Sequence, residues 1–495
     1  MEKQVFNPYL PSYEYVPDGE PHVFGSRVYV YGSHDRFNGK AFCVRNYVCW
    51  SAPVDDLTDW RFEGEIYRKD QDRYLPDAKD RRLFAPDVQK GPDGRYYLYY
   101  AFDFSGVIGV AVCDTPAGKY EYYGNVHYED GTVLGTREDD YFQYDPGVLV
   151  DTDGKVYLYT GFRPEGEMAK RFSFARPTAP GGMVTVLDED MVTVKIGPNV
   201  FIPAGEEAVG TDFEGHGFFE AASIRKAGET YYLLYSSENG HELCYATSAS
   251  PCGGFRYRGV IISNGDIGIN GRTEPLNYTG TNHGGIEKIG DQWYVFYHRQ
   301  TNGNPYSRQG CAERIQMLAD GSIPQVEITS CGLNGGPLKG RGSYNAGIAC
   351  NLMSKNGAVP YVANTQVSQE HPYITQDGEE GKEQYITNMQ DGAQAGYKYF
   401  KMKKLSQIGV ETRGKGAGKI LVKTELDGNP VAEVAHAPGS DWTTCYKDVQ
   451  IPDGTTGLWF VYQGEGSIFL HEKDHASDRS PCLGAGSRLA GSDVS

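Results

Sequence analysis

Nowhere in the 495 residues is there an apolar run approaching the roughly 18 residues that a bilayer-spanning helix needs. The opening stretch MEKQVFNPYLPSYEYVPDGE likewise lacks an apolar signal core. The expectation is a chain with no membrane partner, cytoplasmic as it stands or secreted if a signal has been removed. Basic residues are in deficit, 47 Lys and Arg against 65 Asp and Glu, for a net charge of −18. Such a surface repels nucleic acid and anionic lipid, and a neutral ligand fits it better. The ten cysteines, at 43, 49, 113, 244, 252, 311, 331, 350, 445 and 482, include no CxxC pair, which removes a zinc ribbon or a redox dithiol from consideration. They read as buried free thiols. The repeat signatures of WD and kelch proteins are absent too.

What the chain does have is 37 Tyr, 63 Gly and 26 Pro, with aromatics at 13%, a composition of strands and tight turns. The fold class expected is all-β, and the length calls for two domains. One short pattern recurs five times: a polar anchor, an apolar run, a Gly-containing turn and an aromatic-rich strand. Asp18 leads to FGSRVYVYGS, Asp87 to GPDGRYYLYYA, Asp145 to DTDGKVYLYTG, Glu220 to KAGETYYLLYSS, and His283 to KIGDQWYVFYHR. Alternation followed by a turn is a hairpin signal, and each copy has enough chain for a four-stranded sheet. Five copies ending near residue 315 predict a five-bladed β-propeller over 1–315.

Residues 316–345 are rich in Gly and Pro and read as a connector on the propeller's surface. From 346 to 473, short alternating strands with DG and GxG turns predict a β-sandwich. Residues 474–495 have no apolar periodicity and read as a disordered tail.

The innermost strands of a propeller point at its axis, so anchors from different blades meet there, and four of the five carry carboxylates, of which Asp18, Asp87 and Glu220 read as the catalytic set. Inverting glycoside hydrolysis needs a carboxylic acid to protonate the leaving oxygen and a carboxylate to activate water from the other face; a third carboxylate raises the acid's pKa. Asp145 has the same anchor position, but its DP pair before a DTDG turn is equally explained by hairpin capping.

Taken together, NPYLPSYEYVPDGEPHVF, LFAPDVQKGPDGRYYLYYA, QYDPGVLVDTDGKVYLYTG, FFEAASIRKAGETYYLLYSS and TNHGGIEKIGDQWYVFYHR resemble glycoside hydrolase family 43 over about residues 6–315. The resemblance implies an inverting five-bladed propeller enzyme with Asp18 as general base, Asp87 as modulator of the acid's pKa, and Glu220 as general acid. Glu20, which precedes Pro21, competes with Asp18 for the base role; the spacing to the aromatic run favours Asp18. The resemblance further implies substrate contacts from Arg308 and an axial Ca2+ held by His283 through waters. Phe24, His34, Phe84, Phe219 and His298 are candidate walls of a sugar subsite.

The C-terminal stretch is similar to a family 6 carbohydrate-binding sandwich, in a packing role. The implied activity is exo-acting release of terminal β-D-xylose and/or α-L-arabinofuranose from xylo-oligosaccharide or arabinoxylan-derived substrates, as a β-xylosidase with α-L-arabinofuranosidase activity. The alternatives are an endo-1,5-α-L-arabinanase and a catalytically inactive sugar-binding propeller.

Overall fold

The computed structural model describes residues 3–164, 166–170, 178–358 and 370–476. Its regular structure is almost entirely strand, and among the described residues no helix is long and apolar enough to cross a membrane.

The five sequence repeats become five antiparallel sheets. The first is built from Glu20–Phe24, Arg27–Tyr31, Tyr47–Pro53 and Arg61–Tyr67, the second from Leu83–Lys90, Tyr96–Phe102, Ile108–Cys113 and Glu121–Asn125. Gly147–Val150, Val156–Thr160, Gly181–Leu187 and Thr193–Pro203 form the third, with His127–Tyr128 added in parallel at its outer edge. The fourth comprises Phe218–Ala227, Thr230–Ser237, Glu242–Ser248 and Arg256–Ser263; the fifth has three strands, Ile286–Ile289, Gln292–Gln300 and Arg308–Ile315. The innermost strands touch in a closed cycle, each against the next and the fifth against the first. This is a five-bladed propeller, and its aromatic second strands supply the cores between blades, with Tyr31, Tyr99, Tyr159, Tyr235 and Tyr297 all essentially buried.

The short fifth blade is completed by the N-terminal segment. Tyr9 N donates to Gly310 O, and the Asn7 side chain both donates to Ala312 O and accepts from Ala312 N. The ring is thus closed by residues about 300 apart in sequence.

The second domain packs two sheets around one apolar core that includes Ile386, Tyr397, Val410, Leu458, Phe460 and Leu470. One sheet runs Leu338–Lys339, Gln394–Met402, Gly454–Glu465, Ala417–Lys423, Ala432–Ala435, and the other Tyr373–Gln376, Gln384–Met389, Ile468–Ala476, Gln407–Gly414, Gly439–Asp448. Two segments placed by the sequence reading in the connector are strands of this sandwich: Leu338–Lys339, and Gly342–Asn345, which pairs with Ile468–Ala476. That last strand also runs three residues past the expected boundary at 473. The rest of the expected tail, 477–495, lies outside the described residues. The two domains are tied by buried polar contacts: Lys398 Nζ bridges Asp266 and Glu327, and Arg299 Nη1 donates to the carbonyls of Ala349 and Cys350.

Candidate active site

A cavity of about 680 Å³ opens at one end of the propeller axis, and Asp18, Asp145 and Glu220 line it together with His283 and Arg308. These come from blades one, three, four and five. Local backbone geometry aims them inward. Asp18 and Asp145 lie just ahead of their inner strands with φ of 56° and 45°, and Ala221, next to Glu220, has φ 67°. Left-handed conformations are costly for residues with a side chain and persist only where surrounding contacts hold them. Blades three and four also approach closely: a Cβ on Gly147 would sit 2.2 Å from Ala222 O, so only glycine allows this contact.

The three carboxylates have unequal surroundings. Burial alone would push Asp18 up, but Arg308 and His298 overcome this and hold it well below the usual carboxylate range. Arg308 Nη1 is 2.8 Å from Asp18 Oδ1, and His298 Nδ1 is 3.1 Å from the same oxygen and 3.2 Å from Asp18 N. Arg308 is fixed from behind by Asp35, through Nε at 2.8 Å and Nη2 at 3.1 Å, and its guanidinium lies 4.7 Å from the centre of the Phe42 ring. Glu220 is pushed the other way, by burial and then by the Asp18 charge. Asp145 is also raised, by burial first and then by Glu220 and Asp18. An ionised carboxylate therefore shares the cavity with two that retain protons to higher pH, the division of labour an acid–base pair requires.

Phe84 and Phe219 line the cavity as expected, joined by Phe42, Tyr144 and Phe162, which the sequence reading did not single out. Phe42 lies between strands where no periodicity marks it, whereas Tyr144 directly precedes Asp145 and was within reach of the repeat.

Other expected residues lie elsewhere. Asp87 does not reach the cavity: its carboxylate accepts from Val88 N and Val148 N, each at 2.7 Å, and lies 2.6 Å from His22 Nε2. The reason is position along the strand. Asp87 stands three residues before the end of Leu83–Lys90, whereas Asp18, Asp145, Glu220 and His283 stand five to seven before the ends of theirs. At about 3.3 Å per residue, it is displaced by roughly 7–13 Å toward the far end of the channel. Phe84, six residues before that end, takes the cavity-facing position in blade two. Glu20, the alternative to Asp18, lies with Asp87 and is bound by Arg225 Nη2 at 2.8 Å and Ser223 Oγ at 2.8 Å. Phe24 stacks on His22 and meets Tyr96 edge-on between blades. His34 is buried and bonded to Asn46 O. His298 is fully buried behind Asp18 rather than forming a wall.

His283 lines the cavity with Nδ1 3.6 Å from Asp145 Oδ2, and burial lowers its pKa to about 4, so the ring is neutral with a lone pair to offer. Asn264 and Gln300 both donate to the carbonyl of the cavity-lining Thr281, and Asn282 donates to His241 O, while the side-chain carbonyl oxygens of all three are buried without a protein partner among the described residues. A neutral imidazole beside a carboxylate can hold a cation, with waters supplying the remaining oxygens. The nine described cysteines are all free thiols.

Residues 16–323 match the family described as glycosyl hydrolases family 43. A xylosidase/arabinosidase of Thermoclostridium stercorarium is 52% identical over 476 residues, 95% of this chain and 98% of the relative. One from Bacteroides ovatus is 32% identical, covering 64% and 97% respectively. Among solved structures, a family 43 β-xylosidase/α-arabinofuranosidase from a compost metagenome, in complex with xylotriose in a calcium-free form, superposes with a TM-score of 0.52 at 27% identity, covering 66% of this chain and 98% of that one. A profile match across more than half the chain and majority identity over nearly its whole length agree with the propeller and its carboxylate-lined cavity: the protein is a glycosidase and belongs to glycosyl hydrolase family 43.

Proposed function

We propose that the protein is an inverting, exo-acting glycosidase that releases terminal β-D-xylose and/or α-L-arabinofuranose from xylo-oligosaccharides and arabinoxylan side chains. The names of its relatives support the two sugars. The observation that carries the mechanism is the opposed displacement of the Asp18 and Glu220 carboxyls within one cavity.

Glu220, protonated at working pH, gives its proton to the leaving glycosidic oxygen. Asp18, kept anionic by Arg308, takes a proton from the water that attacks the anomeric carbon on the opposite face, inverting its configuration. Asp145 takes the modulating role first expected of Asp87: its carboxyl shares the cavity with that of Glu220 and the two are electrostatically linked, the Glu220 charge raising Asp145. Arg308 orients Asp18 and is available to sugar hydroxyls. Phe84, Phe219 and Phe162 exclude water and offer apolar faces to the sugar.

Calcium would be held by His283 through waters, next to the Asp145 carboxyl. When bound, it supplies fixed positive charge beside Asp145 and favours that residue's ionised form.

The reading is tested with p-nitrophenyl β-D-xylopyranoside and α-L-arabinofuranoside, and with xylo-oligosaccharides followed by NMR of the first-formed anomer. Release of single pentoses with inverted configuration is expected. Retention of configuration, or internal cleavage without pentose release, would refute it.

A further inference from the structure

Outside the catalytic cavity, blade four carries a compact group of soft and hard metal-ligand atoms. His216 precedes the inner strand Phe218–Ala227, and Glu242 and Cys244 lie on the same side of the third strand, Glu242–Ser248. His216 Nδ1 is 2.7 Å from Glu242 Oε1, Cys244 Sγ is 3.4 Å from that oxygen, and Sγ and Nδ1 are 3.9 Å apart. Zinc bound tetrahedrally by nitrogen, oxygen and sulfur at its usual bond lengths separates such ligand atoms by about 3.3–3.6 Å. The observed triangle brackets that spacing, so small side-chain shifts suffice to place an ion among the three atoms.

The group is also reachable and preformed. The His216 side chain is 32% exposed, whereas Glu242 and Cys244 are buried behind it. The imidazole stacks on Tyr257 at 4.8 Å, and His216 O accepts from Tyr235 Oη, so ring and backbone are both fixed. An open fourth position on the His216 side would be filled by water.

We propose that His216, Glu242 and Cys244 form a binding site for a thiophilic divalent cation of the zinc class, and that its occupancy reaches the catalytic cavity through the turn 238–241. The link is Glu242 Oε1, which also accepts from Ser237 Oγ and from Asn239 Nδ2. Glu238, Asn239, Gly240 and His241 all line the cavity. A cation on Oε1 displaces those two donors and loosens the turn, leaving the Asn239 side-chain amide only its bond to Gly215 O. On binding, Cys244 gives up its thiol proton to the buffer and becomes the thiolate ligand, with no change in oxidation state. The cation is distinct in chemistry from a hard, oxygen-bound ion at His283, because only this site offers sulfur.

The experiment is a titration of the full chain with Co2+ in chelator-free buffer, followed by near-ultraviolet absorption, with Zn2+ then added to displace it. One equivalent of cobalt should give a thiolate-to-metal charge-transfer band, abolished in Cys244→Ser and in His216→Ala and kept in Cys252→Ser, which removes an exposed thiol. His216→Ala alters a partly exposed ring and decides the matter if Cys244→Ser fails to fold. Stoichiometric Zn2+ should also slow pentoside hydrolysis several-fold in the parent protein but not in His216→Ala. No band in the parent, or a band that survives both variants, overturns the site. A band with unchanged hydrolysis overturns its link to the cavity.

Discussion

Replacing Arg308 by Met should invert the way stability depends on pH. The methionine fills similar space but removes the charge facing two buried carboxylates, Asp18 at 2.8 Å and Asp35 at 2.8 and 3.1 Å. Attraction at 2.8 Å in a medium of effective dielectric near 20 is about 6 kcal/mol, and the guanidinium's own desolvation offsets part of it. Breaking a buried pair by removing one partner typically costs about 3–5 kcal/mol, which lowers the Tm of a domain this size by on the order of 10 °C. In the parent, Asp18 titrates below its ordinary value, so its stabilising contribution is present above the usual carboxylate range and is lost as pH falls through the lowered folded-state value.

In the variant, burial of Asp18 is opposed only by His298 and His283 and that of Asp35 by the Cys43 N–H, and both carboxyls move up. A raised carboxyl contributes stability at low pH that is lost as pH rises through the new value. The Tm gap between parent and variant should therefore widen from about pH 5 to about pH 8. Differential scanning calorimetry across that range reads it directly, and the acidic limb of kcat/KM should move up with Asp18 by on the order of one unit. Parallel Tm profiles, or an unmoved acidic limb, would refute the assignment of Arg308 as the group that keeps Asp18 ionised.

Glu220→Gln removes the proton donor and should lower kcat/KM on xylobiose by roughly 10²–10⁴-fold, with a smaller loss on p-nitrophenyl substrates, whose leaving group needs little protonation; equal losses on both would count against an acid role. In the parent, the alkaline limb should lie above the ordinary carboxylate range, because Glu220 is raised by burial and by Asp18; a limb within that range would count against Glu220 as the acid. Asp87→Asn, by contrast, should leave the pH profile in place while lowering Tm, since it weakens the bonds to Val148 N and His22; a shifted profile in this variant would return Asp87 to the catalytic group. Phe219→Ala should raise KM more than it lowers kcat, measured on xylobiose, and the opposite split would show that the ring acts in the transition state.

The propeller was legible because its repeat has two independent marks, the turn and the aromatic second strand, and each survives as a hairpin in the structure. The sandwich was legible as alternation, but its edges were not: Leu338–Lys339 and Gly342–Asn345 are short segments held by pairing with distant strands, and a Gly-rich stretch carries no local sign of such pairing.

Of the residues that the sequence reading assigned to the site, Asp18, Glu220, Arg308, His283, Phe84 and Phe219 line the cavity, and Asp87, Phe24, His34 and His298 do not. Asp87 and Asp145 both follow the repeat's anchor rule when distance is counted to the aromatic strand. Counting from the end of the inner strand separates them, because that end fixes depth along the axis. The capping explanation for Asp145 was also incomplete, since the DTDG turn is satisfied by Asp151 and Asp153 and leaves Asp145 free to face the axis. His34 and Phe24 were close in sequence to an anchor but project between blades, which proximity along the chain does not reveal.

The closure of blade five by Asn7 and Tyr9 has a consequence for how the protein comes into being. On the ribosome the N-terminal segment emerges first, and its partners at Gly310 and Ala312 emerge after some 300 further residues have been made. Joining chain ends that far apart costs about 5 kcal/mol in loop entropy, so the ring is expected to snap shut late. Because the cavity draws on blades one, three, four and five, nascent chains gain neither catalysis nor affinity for pentosides before that event. Sugar can therefore act as a ligand of the finished ring but not as a template for its assembly.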